Sequence, residues 1–153
     1  MADNRIFFYM QQEGRSPVSI EERFSGLRYA KCDGLLDKGK RKDVYIEKFA
    51  DAEELQVWHG DGMLRDATTI TLSLCFVGGK RQYVYEDFCS YVSSGKIYYW
   101  DTKRLMKAYL VLVDKIEPKE DVFEGSTPYI WAEFKFQNIW GECKMCDKNG
   151  NIN

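Results

Sequence analysis

The run Thr68–Val77 alternates without a break. Ile70, Leu72, Leu74 and Phe76 fall on one side, and Thr69, Thr71, Ser73 and Cys75 on the other. A period of two marks a half-buried antiparallel strand, because successive side chains of an extended chain point to opposite faces. The chain must therefore supply a second layer to cover this one apolar face.

The period changes directly afterwards. Val84, Phe88, Tyr91 and Val92 recur at i, i+4, i+7 and i+8, one stripe of an α-helix over about residues 81–94, which Gly95 closes as a C-cap. No other stretch predicts so strong a helix, although Ser19-Ile-Glu-Glu has the form of a cap on a short helical turn. Strand patterns return at Lys96–Trp100 and Leu105–Ile116, either side of the hairpin loop Asp101-Thr-Lys-Arg, and again at Thr127–Asn138. Upstream, Leu27–Cys32 and Val44–Phe49 read as strands joined by the charged, glycine-bearing segment Asp33–Asp43. Together they predict a long hairpin with a basic tip. Glu54–Trp58 reads as a short strand ended by the turn His59-Gly-Asp-Gly, and residues 142–153 as a loose polar tail. A parallel crossover fold needs more helices than this. The prediction is a single domain over 1–153 with its core at about 27–141. Its class is α+β, mostly β: an antiparallel β-sandwich or split barrel with one flanking α-helix.

Composition excludes several function classes. Among 153 residues, 22 Lys+Arg against 24 Asp+Glu leave a net charge of -2, which argues against a general nucleic-acid binder. The longest uncharged run, Ala67–Gly79, is too short and too polar to cross a bilayer, and the first ten residues have no signal-peptide pattern. The five cysteines, at 32, 75, 89, 143 and 146, are odd in number and show no disulfide spacing, which points to a reducing compartment.

Motifs that could carry chemistry are incomplete. Gly34-Leu-Leu-Asp-Lys-Gly-Lys-Arg matches GxxxxGK[ST] up to its last position, but Arg41 stands where a hydroxyl must hold Mg²⁺, and a strand pattern follows instead of a helix. Cys143-Lys-Met-Cys146 offers two of the four ligands that structural zinc needs, and the chain's single histidine, His59, lies in a distant turn. His59 and Asp61 form a base–carboxylate pair with no nucleophile motif to serve. Glu117, Glu120, Asp121 and Glu124 cluster around Pro118 in what reads as a solvated loop. The expectation is a protein without catalytic, cofactor-binding or metal-binding residues. Tyr98-Tyr99-Trp100 must turn at least one ring outward from a strand, and outward rings serve protein contacts or single-stranded nucleic acid.

The segment Tyr98-Tyr-Trp-Asp-Thr-Lys-Arg, the alternating strand and acidic loop after it, and the closing Pro128-Tyr-Ile-Trp-Ala-Glu-Phe-Lys-Phe-Gln-Asn carry a family resemblance. With Gly26-Leu-Arg-Tyr and Val44-Tyr-Ile-Glu-Lys-Phe, they make about Leu27–Gly141 similar to tail structural proteins of long-tailed bacteriophages and prophages, most of all the distal-tail and tail-tube group. The resemblance implies a virion structural protein without cofactor or chemistry. It implies assembly into a homo-oligomeric ring, a hexamer, around a central channel, with other tail or connector proteins as partners. It also implies a location in the bacterial host cytoplasm during assembly and in the virion tail afterwards, with no membrane and no sequence-specific nucleic acid. The expected subunit contacts are the basic hairpin (Lys38, Lys40, Arg41, Lys42, Tyr45, Phe49), Tyr99, and the acidic region Glu120, Asp121 and Glu124. The alternative from a different class is a small binding module whose aromatic face or basic hairpin holds nucleic acid or carbohydrate.

Overall fold

The computed structural model describes residues 8–42, 44–47, 56–59 and 65–152. In chain order these form β1 (Phe8–Gln12), β2 (Val18–Ser19), α1 (Ile20–Arg23), β3 (Leu27–Asp33), β4 (Val44–Glu47), β5 (Gln56–His59), β6 (Thr68–Val77), α2 (Arg81–Val92), β7 (Ile97–Asp101), β8 (Met106–Leu112), β9 (Glu117–Val122), β10 (Tyr129–Asn138) and β11 (Lys144–Met145). Of the described residues, 47% lie in strands and 13% in helices, so the class is α+β and mostly β. Nine strands make one antiparallel sheet, ordered β2-β1-β7-β8-β10-β6-β3, with β11 beside β8 and β9 beside β10; it does not close into a barrel. None of the helices is long and apolar enough to cross a membrane among the described residues.

The alternating run builds the centre of the sheet. β6 pairs with β10 over its whole length, from Thr68↔Asn138 to Val77↔Tyr129, and with β3 on its other edge. Ile70, Leu72, Leu74 and Phe76 therefore stand opposite Phe136, Phe134, Ala132 and Ile130, and all eight are buried. The predicted helix covers them. Phe88 is fully buried, edge-on to Phe134 at 5.1 Å and to Phe24 at 5.3 Å, with Phe76 at 6.1 Å. Val92 is buried too, and Val84 and Tyr91 pack at the margin of the core. Gly95, at φ +144, lies just beyond the helix end. α1 forms where the capping sequence predicts it, but the Ser19 side chain makes no cap hydrogen bond.

Four features differ from the sequence reading. The Asp33–Asp43 hairpin does not form: β3 pairs with β6, whereas β4 pairs with β5 in a separate two-stranded sheet. Its eleven-residue connection exceeds the two to five residues usual in hairpins, and β6 offers β3 an apolar face to match Leu27 and Tyr29. Of the acidic segment, only Glu124 lies in a loop; Glu117, Glu120 and Asp121 belong to β9, an edge strand on β10, and charge and proline are what an exposed sheet edge carries. β8 and β9 form one bent run, pairing first with β7 and then with the two halves of β10.

Residues 142–152 are not loose either. β11 pairs with β8, Cys146 is buried, and its bridge to Ile152 folds the end back. Trp100 explains this, because its indole donates to the Lys148 carbonyl at 3.2 Å and its ring lies directly against Gly150. Finally, Tyr99 is a core residue at 1% exposure rather than a contact residue. It shares parity with Ile97, and the aliphatic residue takes the inner face. The Asp101 turn forms as predicted: Asp101 Oδ1 accepts from the Lys103 and Arg104 amides at 2.9 and 2.6 Å.

Candidate interaction surfaces

The basic segment is an irregular stretch, pinned by hydrogen bonds, that leads to the β4–β5 ribbon. The Gly39 amide donates to the Gly141 carbonyl at 2.7 Å, and the Asp66 amide to the Lys40 carbonyl at 2.8 Å. Arg65 donates to the Gly39 carbonyl at 2.9 Å. Glu142 stands between two cations, 3.0 Å from Arg65 Nε and 3.5 Å from Lys38 Nζ. These bonds use the glycine amide that a phosphate cradle would need, and the chain runs from Arg41 into β4, so the partial phosphate-binding motif is a structural seam. Lys40 and Lys42 point to solvent and enter no ion pair among the described residues. Arg41 bridges to Arg65 at the foot of the ribbon. Tyr45 stands opposite Trp58 and Val44 opposite His59. Phe49 and Asp61 lie outside the described residues.

The acidic region sits at the other end of β10. Lys119 holds Glu117 at 2.7 Å and reaches Glu133 at 4.0 Å, and its ammonium keeps the Glu117 carboxyl below the usual range. The Tyr129 hydroxyl donates to Glu120, and that bond raises the phenol. Asp121 and Glu124 enter no ion pair among the described residues. Asp121 and Pro118 line a cavity of about 420 Å³ against Gln82, Tyr83 and Glu86 of α2. Phe123, next along the hairpin, is 60% exposed beneath the Arg81 guanidinium. Sequence reasoning expected the basic and acidic groups to meet between copies. Within one chain they lie at opposite ends of a ten-residue strand, roughly 30 Å apart.

A third surface was signalled only by the aromatic triplet. Tyr98 and Tyr109, paired across β7 and β8 on the outer face of the sheet, stack at 4.5 Å. Trp140 closes on them at 5.8 and 5.6 Å. Lys107, Lys96 and Lys144 hold their ammonium groups over Tyr98, Tyr109 and Trp140. Desolvation, then a hydrogen bond with Glu13, pushes the Tyr109 phenol up to about 12.

The thiols are all free. Cys143 and Cys146 flank the extended β11, which puts about 10 Å of chain between them, beyond the reach of a disulfide. Burial pushes the Cys32 thiol up to about 12 and those of Cys89 and Cys143 to about 11, so they are protonated at neutral pH. Among the described residues, no three His, Cys, Asp or Glu side chains converge on a metal-sized site. Neither a family model nor a curated protein matches the chain.

Proposed function

We propose that this chain is a non-enzymatic structural subunit of a phage or prophage tail, which assembles head to tail into a ring around a central channel. One observation carries the reading. Two cations, Lys40 and Lys42, and two carboxylates, Asp121 and Glu124, none of them in an ion pair among the described residues, occupy opposite ends of β10. Opposite charges that cannot meet within one copy can meet between two, and a contact between two different patches of identical subunits closes into a ring when its rotation allows. The β4–β5 ribbon beside the basic end supports the same reading, since a two-stranded sheet is marginal by itself and gains stability from a neighbour.

Charge exchange tests it. The wild-type chain is expected to form closed rings by electron microscopy at high protein concentration, with sedimentation that depends on concentration and salt. Lys40→Glu with Lys42→Glu abolishes the rings, Asp121→Lys with Glu124→Lys abolishes them independently, and a mixture of the two variants restores contact. Rings that persist in both variants would remove this interface, and a chain monomeric under every condition would remove the ring.

A further inference from the structure

We infer that the outer face of β7 and β8, closed by Trp140, is a binding site for single-stranded nucleic acid that stacks bases and holds phosphates without reading sequence. Three observations support it. The rings are not needed by the core: along β7 and β8 the inner positions are filled by Ile97, Tyr99, Ala108 and Leu110, all buried, while Tyr98, Tyr109 and Trp140 remain half-exposed. The rings form one cluster, with centroids 4.5 to 5.8 Å apart. Three cations surround them, at 4.5 Å for Lys107, 4.3 Å for Lys144 and 5.9 Å for Lys96, and none is paired with a carboxylate among the described residues.

The three lysines are not equivalent. Lys107 is anchored, because it also donates to the Gly150 carbonyl at 2.7 Å and lies 5.0 Å from the Trp100 ring. Lys96 and Lys144 are exposed and cover the ring faces of Tyr109 and Trp140 from outside. Stacking a base on an aromatic ring is worth more than an exposed cation–π contact. A base can therefore take the ring face while the displaced ammonium moves to the adjacent phosphate. A neutral sugar would use the rings and leave the cations idle, and a duplex would hide the base faces. Stacking tolerates every base, so the site is expected to be indifferent to sequence. Glu13 beside Tyr109 and Asp147 near Lys107 mark the acidic limits of the patch.

The test uses the full chain, kept dilute to stay below any assembly, and a fluorescein-labelled oligothymidylate of about twelve nucleotides. Anisotropy should show binding that quenches tryptophan fluorescence and weakens with salt, with a log–log slope of about -2 for three phosphate contacts. Lys96→Glu with Lys144→Glu, both on the surface, should lower affinity at least tenfold and flatten the slope by about 1.4. Trp140→Ala should lower affinity with the slope unchanged. No binding, or equal binding by the lysine variant with its circular dichroism intact, overturns the proposal. Equal binding of dextran sulfate reduces the site to a general polyanion patch. Salt-independent binding of cellohexaose in place of the oligonucleotide makes it a sugar site.

Discussion

The rings of Phe8 and Tyr29 lie 5.9 Å apart, although their strands, β1 and β3, have β7, β8, β10 and β6 between them in the sheet. The sheet therefore curls until its two ends share a hydrophobic contact, and α1 bears on both β1 and β3 at that gap. Phe24, one residue beyond α1, carries the contact inward to Phe88. The core is a trough of sheet filled by one helix, and the ring at its centre is the most sensitive point of the fold.

Phe88→Ala is expected to destabilise the protein by about 3–5 kcal/mol, the range for deleting a buried phenylalanine. Urea unfolding followed by circular dichroism measures it. Tyr83→Ala, on the exposed side of the same helix at 75% exposure, should change stability by about 0.5 kcal/mol or less. Similar midpoints for the two variants would show that the helix is not seated as described.

Gly150→Ala should lower the melting temperature and shift tryptophan emission. Gly150 takes φ +83, and a Cβ there would come within 2.6 to 2.8 Å of the Trp100 ring. The left-handed conformation alone costs a non-glycine residue about 1–3 kcal/mol. An unchanged melting temperature would mean that the C-terminal residues contribute nothing to the fold.

Stability should fall in alkali. Burial raises the Cys32 thiol from 9.0 to about 12 and the Tyr29 phenol from 10.0 to about 12. The unfolded chain ionises first, so the folded state loses ground as pH rises from about 9 to about 12, and neither group contributes a slope below that window. Unfolding midpoints across pH 8–11 measure the decline, and Cys32→Ala should flatten its lower part. A midpoint as steady in the wild type as in the variant would place the thiol in contact with water.

The elements with one dominant period were legible from sequence: β6, β10 and α2 stand within a few residues of their predicted bounds, because patterning and burial agree there. What was not legible depended on partners remote in sequence. Leu27–Cys32 carries no mark that selects Thr68–Val77 over Val44–Phe49, and the choice was made by the matching apolar face. Glu117–Val122 has the composition of a loop, and only the free edge of β10 turns it into strand. The parity of Tyr98 and Tyr99 was readable from Ile97, an aliphatic residue two positions before Tyr99, and Tyr98 is the ring that faces out. The tail end was misread because the group it satisfies, the Trp100 indole, lies 48 residues earlier in the chain.

The Arg41–Arg65 bridge, with the Asp66 amide bonded to Lys40, brings the chain's point of departure and its point of return side by side. The β4–β5 ribbon is thus carried on a closed stem. Such a segment can be shortened, extended or exchanged between related proteins at little cost to the folding of the body, since closing a longer loop adds entropy only logarithmically. Selection on whatever this ribbon touches is therefore free to proceed without renegotiating the hydrophobic interior, so one scaffold can acquire new neighbours by rewriting this segment alone.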